Sequence, residues 1–135
     1  MVMTHVDVGR ELAVPVPVAW RLLADSRIWP SWGPTISAVD LDPPVVTAGA
    51  RGRIRSSVGI WLPFEITEVV PEARWSWRVL GVPATGHRVE ATSRGCRVVF
   101  EVPAVVAPYA AVCRLALRRM ARLVDPGPGP GATNR

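Results

Sequence analysis

The sequence contains no lysine, only two cysteines, and no apolar run of the length that crosses a bilayer. Cys96 and Cys113 are too few for a disulfide framework and lack the paired spacing of a zinc site, so we expect free thiols. A transmembrane helix needs about 20 consecutive apolar residues, and residues 1–10 lack the basic start and apolar middle of a secretory signal. These absences predict a cytoplasmic protein without integral membrane contact.

All 16 basic residues are therefore arginine, and with 11 acidic residues they give a formal net charge of +5. Exclusive use of arginine, with abundant Ala, Val, Gly and Pro, is typical of GC-rich codons, so the basicity does not by itself indicate a nucleic-acid partner. Such a partner requires a basic cluster on one face, preferably with stacking aromatics. The sequence also lacks a nucleotide-binding glycine loop, a serine elbow and a cluster of metal ligands. We expect no nucleic acid, no metal and no cofactor.

The chain has the length and composition of a single folded unit. A domain usually has about 100 to 200 residues, and this chain has 135, of which 49% are apolar and 20% charged. Residues 126–135 begin with alternating Pro and Gly, which excludes a regular element. We predict one domain over residues 1–125 and a disordered tail over residues 126–135.

An opening strand and two short helices are predicted first. Side chains alternate in character from Thr4 to Leu12, as in a strand. A helix over Val18–Ala24 follows two prolines, and Asp25-Ser26 can cap a second short helix that carries Trp29 and Trp32.

An antiparallel sheet and a long helix are predicted to complete the domain. Apolar residues recur at steps of three or four from Val105 to Val124, which is typical of an amphipathic helix. Its apolar stripe includes Tyr109, Cys113 and Met120. Pro108 fits only near the first turn of a helix, so we expect the regular part to begin at about that residue. The predicted fold is α+β, with a curved antiparallel sheet wrapped around the C-terminal helix. Turn signals divide the sheet region into strands at Ile36–Leu41, Arg51–Val58, Leu62–Val70, Arg74–Leu80, His87–Thr92 and Cys96–Val102.

Turn lengths predict which strand residues face the helix, because side chains alternate across a strand. A three-residue loop at Gly59–Trp61 keeps Arg51, Arg53 and Arg55 outside, whereas a two-residue loop would bury them at high cost. Turns at Pro71-Glu72 and Arg94-Gly95 set Glu68 opposite Trp75, Ile66 opposite Trp77, Phe64 opposite Val79 and His87 opposite Val102. The predicted inner face carries Ile54, Ser56, Phe64, Ile66, Glu68, Trp75, Trp77, His87, Val89, Cys96, Val98 and Phe100.

Four local segments, taken with this order of elements, point to a known family. They are VPVPVAW at 14–20 with LAD at 23–25, WPSW at 29–32, FEITEVVP at 64–71 and RWSW at 74–77. With a meander and a long final helix around them, the chain resembles the START-like or SRPBCC superfamily, which includes polyketide cyclase/dehydrase-like proteins. The resemblance implies a helix-grip fold, with a cavity between sheet and helix that often holds lipids, polyketides or other apolar molecules.

The residues themselves also favour a small-molecule pocket. Four tryptophans are predicted to converge where the short helices meet the sheet, and each buried indole N–H needs a partner. Large flat rings with a few polar groups are typical of ligand sites, although the same rings could simply fill the core. The predicted ligand-binding residues are Trp29, Trp32, Phe64, Ile66, Trp75, Trp77, Val89, Phe100, Tyr109, Cys113 and Met120.

Two ionisable residues are candidates for acid–base catalysis. His87 is the only histidine predicted on the inner face, and Glu68 is the only carboxylate there. Such a pair could exchange protons in an aldol-type cyclisation or a dehydration, with the Tyr109 hydroxyl polarising a carbonyl. The alternatives are a rim histidine bound by backbone or water, a Glu68 ion pair with a nearby arginine, and a Tyr109 that only packs at the helix start.

Three functions remain open on the sequence alone. The first is binding of a small hydrophobic ligand, lipid-, aromatic- or polyketide-like, in a cavity between sheet and final helix. The second is a polyketide cyclase or dehydrase that uses His87 and Glu68. The third is a basic interaction module that uses arginine faces to bind an anionic partner.

Overall fold

The computed structural model describes residues 5–124, so the predicted tail at 126–135 lies outside the described residues. Within residues 5–124, seven antiparallel strands form one curved sheet in the order β1-β7-β6-β5-β4-β3-β2. The strands are β1 (His5–Leu12), β2 (Ile36–Asp40), β3 (Arg51–Ser56), β4 (Trp61–Val70), β5 (Arg74–Val79), β6 (Val82–Thr92) and β7 (Gly95–Pro103). The helical elements are α1 (Val16–Ala24), α2 (Trp29–Trp32), a 3-10 helix (Ala104–Tyr109) and α3 (Ala110–Val124).

The predicted α+β helix-grip fold is confirmed. Helix α3 packs against β1, β7 and α2 and buries Cys113, Leu117 and Met120. The segment Ala104–Tyr109 forms a 3-10 helix and α3 begins at Ala110, so the expected start of the regular helix at about Pro108 is confirmed. Pro108 has no N–H for a helical hydrogen bond, so the regular helix begins only after it.

Apart from Glu68, the predicted faces of the sheet are correct although two hairpin registers differ. The β3–β4 loop has three residues, at 57–59 instead of 59–61, so that Ile54 lies opposite Leu62. In the β6–β7 hairpin His87 lies opposite Phe100, not Val102. Both registers differ from the prediction by an even number of residues. Because side chains alternate with a period of two, each strand keeps its predicted inner face.

A bulge in β4 overturns the predicted position of Glu68. The pair Ile66–Trp77 is as predicted, but the register then changes and Glu68 lies opposite Ser76 instead of Trp75. A bulge inserts one extra residue and redirects the side chains that follow it. The Glu68 side chain is 54% exposed and forms an ion pair with Arg74. The inward orientation is wrong, and the alternative of a rim ion pair is confirmed.

Three indole groups bind the C-terminal end of α1. The last carbonyls of a helix have no partner within the helix. Trp32 donates its indole N–H to the Leu22 carbonyl at 2.8 Å. The Leu23 carbonyl accepts two indole N–H groups, from Trp29 at 2.8 Å and from Trp75 at 3.0 Å. These bonds fix α1 to α2 and to the centre of the sheet.

An ion-pair network crosses the outer face of the sheet. Glu101 on β7 accepts hydrogen bonds from Arg74 and Arg88, and Arg88 also binds Asp7 and Glu90. The Glu101 side chain is only 12% exposed. Burial by itself raises the pKa of Glu101, but the two guanidinium groups outweigh it and hold the pKa below its usual value of 4.5.

Glu101→Gln is expected to lower the free energy of unfolding by about 2 kcal/mol at neutral pH, because it removes the buried carboxylate that Arg74 and Arg88 share and leaves them only exposed carboxylate partners. Since the folded-state pKa is depressed, this stabilisation is present at neutral pH and is lost as pH falls through that pKa. Urea unfolding of both proteins across the acid range measures the difference.

Glu90→Gln is the matched control, since the Glu90 side chain is 50% exposed and, within residues 5–124, binds Arg88 alone. An exposed ion pair contributes at most about 1 kcal/mol. Equal losses for the two variants would contradict the central role of Glu101.

Candidate functional site

The space between the sheet and α3 is almost filled. A cavity of about 30 Å³ remains there, bounded by α2, α3 and strands β5 to β7. A volume of this size has room for about one water molecule. The interior therefore holds less free space than a ligand cavity beneath the C-terminal helix requires. The cavity is lined by Trp29, Trp32, Gly33, Thr35, Ile36, Trp75, Trp77, Thr85, His87, Phe100, Tyr109, Val112, Cys113 and Ala116.

Stacked rings account for this filling. Trp29 lies on Trp75 with ring centroids 5.1 Å apart and planes at 9°, and Trp75 lies on His87 at 3.9 Å and 22°. Trp77 meets Trp75 edge-on at 5.4 Å, and Phe100 meets His87 edge-on at 5.2 Å. Stacked and edge-on contacts are the favourable arrangements of aromatic rings. The convergence of tryptophans predicted from the sequence is confirmed, and the rings pack on each other.

His87 is held inside this cluster by a chain of hydrogen bonds. Its Nδ1 lies 3.3 Å from the Trp75 carbonyl oxygen, which can only accept, so Nδ1 carries the proton. Its Nε2 then accepts from the Thr85 hydroxyl at 3.0 Å, and Thr85 Oγ1 accepts the Trp77 indole N–H at 3.3 Å. Complete burial lowers the pKa of His87 from 6.5 to about 3. The imidazole is therefore neutral at physiological pH.

A larger apolar groove opens next to the cavity. It has a volume of about 380 Å³ and lies where the β3–β4 and β5–β6 hairpins meet the 3-10 helix. Thr35, Ile36, Trp77, Thr85 and Tyr109 line both the groove and the cavity. The other residues of the groove are Ile54, Ser56, Leu62, Val79, Val82, Pro83, Ala84, Pro103 and Val106.

Tyr109 stands at the boundary between the two spaces. Its hydroxyl is hydrogen-bonded to the Thr35 hydroxyl at 2.9 Å, and the residue is 38% exposed. This bond joins the 3-10 helix to the chain that enters β2. Thr35 and Tyr109 are among the five residues that lie between the groove and the small cavity.

The structure distributes the predicted ligand-binding residues over three environments. Trp29, Trp32, Trp75, Phe100 and Cys113 line the small cavity, whereas Trp77 and Tyr109 line both spaces. The remaining four are buried core residues that line neither space: Phe64, Ile66, Val89 and Met120.

The predicted catalytic pair is not brought together. His87 is buried on the inner face, while Glu68 is bound to Arg74 on the outer face. Burial also raises the pKa of the Cys113 thiol to about 12, so this cysteine remains protonated and a poor nucleophile. Among residues 5–124, no three His, Cys, Asp or Glu side chains are grouped so as to hold a metal ion.

Thr85 and the groove walls near it were missed by the sequence analysis, which begins this strand at His87. In the structure β6 begins at Val82, directly after a two-residue turn formed by Leu80 and Gly81. The Leu80-Gly81 pair was the available signal, because glycine in a two-residue link is typical of a tight hairpin. Starting β6 directly after that turn would have included Thr85 in the predicted strand, two residues before His87.

The curved sheet around a C-terminal helix defines a helix-grip protein. Residues 3–125 match the family described as polyketide cyclase / dehydrase and lipid transport. The chain belongs to that family. No match was found among curated protein sequences. Within residues 5–124, no helix is both long and apolar enough to cross a membrane.

Solved structures share this fold at low sequence identity. A protein from Mesorhizobium loti has a TM-score of 0.75 and 17% identity, with 90% of this chain and 97% of that chain covered. A protein from Nitrosomonas europaea has a TM-score of 0.68 and 21% identity, over 89% and 93% of the two chains. DynU16, a protein in the dynemicin biosynthetic locus, has a TM-score of 0.67 and 23% identity over 87% of this chain and 46% of its own. Identities of this size establish the fold alone.

His87 is expected to make the fold sensitive to acid. The unfolded chain binds a proton near the ordinary pKa of 6.5, whereas the folded chain resists it down to about 3. Stability therefore falls with decreasing pH between these two values, by up to about 1.4 kcal/mol per pH unit. In His87→Gln this part of the pH dependence is lost, as measured by urea unfolding at a series of pH values.

Nuclear magnetic resonance tests the same assignment directly. The imidazole resonances of His87, identified by their absence in His87→Gln, should not titrate between neutral pH and about pH 4 in the folded protein. Titration near the ordinary histidine value would contradict the buried neutral state.

Proposed function

We propose that this domain binds a small apolar molecule in the groove beside Tyr109. The observation that carries the proposal is an apolar opening of about 380 Å³ with a buried polar group, Thr85, at its inner end. Ligand sites usually have this composition, mostly apolar walls with a few placed polar groups. Membership of a family described by cyclase, dehydrase and lipid-transport activities supports a ligand of the lipid, aromatic or polyketide class.

Burial of apolar surface supplies the main part of the affinity. A ligand that buries about 200 Å² of apolar surface gains about 5 kcal/mol at 25 cal/mol per Å². Association costs reduce this gain, and a few polar contacts add to it. We therefore expect affinities in the micromolar range for compounds that fill the groove.

Thr85 favours a ligand that carries a hydrogen-bond donor. Its hydroxyl hydrogen is directed to His87, and one oxygen lone pair accepts the Trp77 indole N–H. A hydroxyl has one donor and two acceptor positions, so one acceptor position remains for the ligand. A hydroxyl or N–H group at the inner end of the ligand fits this position.

The state of His87 favours binding without reaction over a role for this residue in acid–base catalysis. At neutral pH an imidazole with a pKa of about 3 is a weak base and holds no proton on Nε2 to donate. Efficient general acids and bases have pKa values near the working pH. The neutral ring instead serves to orient the Thr85 hydroxyl.

The compartment that we propose is the cytoplasm. Cys96 and Cys113 are both buried free thiols, and a reducing compartment maintains thiols in this state.

Filling the groove is expected to abolish binding. Ala84 lines the groove on β6, and Ala84→Phe adds a ring there without removing a hydrogen bond. The affinity for N-phenyl-1-naphthylamine, an uncharged apolar fluorophore with an N–H donor, should fall at least tenfold. Fluorescence titration of the intact chain measures the affinity.

Ala91→Phe is the matched control, because Ala91 lies on the same strand at the opposite end and outside the groove. Its affinity for the fluorophore should equal that of the wild type. Equal affinity of all three proteins would overturn the groove as the site. Native mass spectrometry after gentle purification would identify a retained natural ligand.

A further inference from the structure

Exposed apolar side chains gather around the opening of the groove. In an antiparallel sheet the β3–β4 hairpin, the β5–β6 hairpin and the end of β7 all lie at one end. Val105 is 92% exposed there, Val58 78% and Leu80 60%. An exposed apolar surface commonly marks an interaction site. We call this the mouth surface, formed by Val58, Ile60, Leu80, Val82, Val105 and Val106.

Leu80 occupies a backbone conformation that its side chain does not favour. It has φ of 54°, and Gly81 has φ of 74°, in the two-residue turn between the paired residues Val79 and Val82. Such a turn favours Asn, Asp or Gly at the position of Leu80, and left-handed backbone costs other residues about 1–2 kcal/mol. The exposed leucine therefore benefits neither the turn nor the core. Residues of this kind concentrate at functional sites.

The segments that form the mouth surface carry charges of one sign. Its segments, residues 53–64, 76–88 and 102–118, contain no aspartate or glutamate. Arg55 and Arg78 lie one residue before their hairpins, and neither forms an ion pair within residues 5–124. The mouth surface thus combines exposed apolar residues with unpaired positive charge.

The acidic residues nearest this end lie on the strands, and two of them, Asp7 and Glu101, are bound to Arg88. Glu65 lies directly opposite Arg78, one residue pair from the β5–β6 hairpin, but forms no ion pair with it. Glu68, Glu72 and Glu90 lie toward the opposite end, where the β4–β5 and β6–β7 turns are found. A second copy of the chain would bring arginines against arginines at this surface, so the charges favour an anionic partner.

We propose that the mouth surface docks on an anionic lipid bilayer. Pairs of apolar residues from three separate segments surround an apolar opening, which suits insertion into a fluid apolar layer. Arg55 and Arg78 would then lie at the depth of the lipid phosphates. Apolar insertion combined with basic residues is the usual basis of peripheral membrane binding. In this orientation the groove opens toward the bilayer, and an apolar molecule could pass between the groove and the bilayer without crossing water.

The test is sedimentation of the full chain with lipid vesicles in the absence of any groove ligand, so it does not depend on the proposed ligand binding. Vesicles of phosphatidylcholine with phosphatidylglycerol should bind the protein, and vesicles of phosphatidylcholine alone should bind it at least tenfold more weakly. Leu80→Asn and Val105→Asn should each reduce binding at least fivefold. Leu80→Asn should also raise the melting temperature, because asparagine tolerates the left-handed backbone.

The control for the apolar part is Val70→Asn, since Val70 is 47% exposed at the other end of the sheet. For the charged part, Arg78→Gln is compared with Arg94→Gln in the β6–β7 turn. Leu80→Asn, Val105→Asn and Arg78→Gln should lose vesicle binding, whereas Val70→Asn and Arg94→Gln should retain it. Absence of vesicle binding, or equal loss in the controls, overturns the proposal. The alternative outcome is that the protein binds soluble polyglutamate as tightly as it binds the vesicles, with no change in Leu80→Asn. That result would also overturn the proposal, in favour of an acidic protein partner.

Discussion

The hydrogen bonds from three indoles to the end of α1 are the constraint on which the rest of the interior depends. Without them, the Leu22 and Leu23 carbonyls and three indole N–H groups would be buried without partners. Each unpaired buried group costs about 1–3 kcal/mol. The bonds therefore set the position of α2 and of Trp75, and with them the plane on which His87 stacks.

This arrangement limits the free space beneath the C-terminal helix. Because the rings of Trp29, Trp75 and His87 stack under the C-terminal helix, only about 30 Å³ is left there. A larger apolar space lies at the end of the sheet, in the groove beyond Tyr109. The Trp77–Thr85–His87 chain connects the two regions, so the packed interior presents one polar group to the groove. The interior supports the site by fixing that group, while the hairpins and the 3-10 helix supply most of the walls.

The sequence predicted the fold and the faces of the strands better than it predicted the site. Alternation and turn length placed Trp77 and His87 inside, and errors of two or four residues in register did not alter their faces. Glu68 was misplaced because a bulge depends on how two strands pair, which spacing along one strand does not reveal. The free volume beneath the C-terminal helix also could not be predicted from the sequence, since it depends on the orientations of the aromatic rings. The groove around Thr85 was not predicted, because the Leu80-Gly81 turn was not recognised and the first residues of β6 were left out of the predicted strand.

The most direct test of the account is to locate a bound apolar molecule by nuclear Overhauser contacts in solution. With N-phenyl-1-naphthylamine bound, the account predicts contacts from its rings to the methyl groups of Ile36, Val79 and Val82 in the groove. Contacts only to methyl groups outside the groove, such as those of Leu117 beneath the helix, would contradict it.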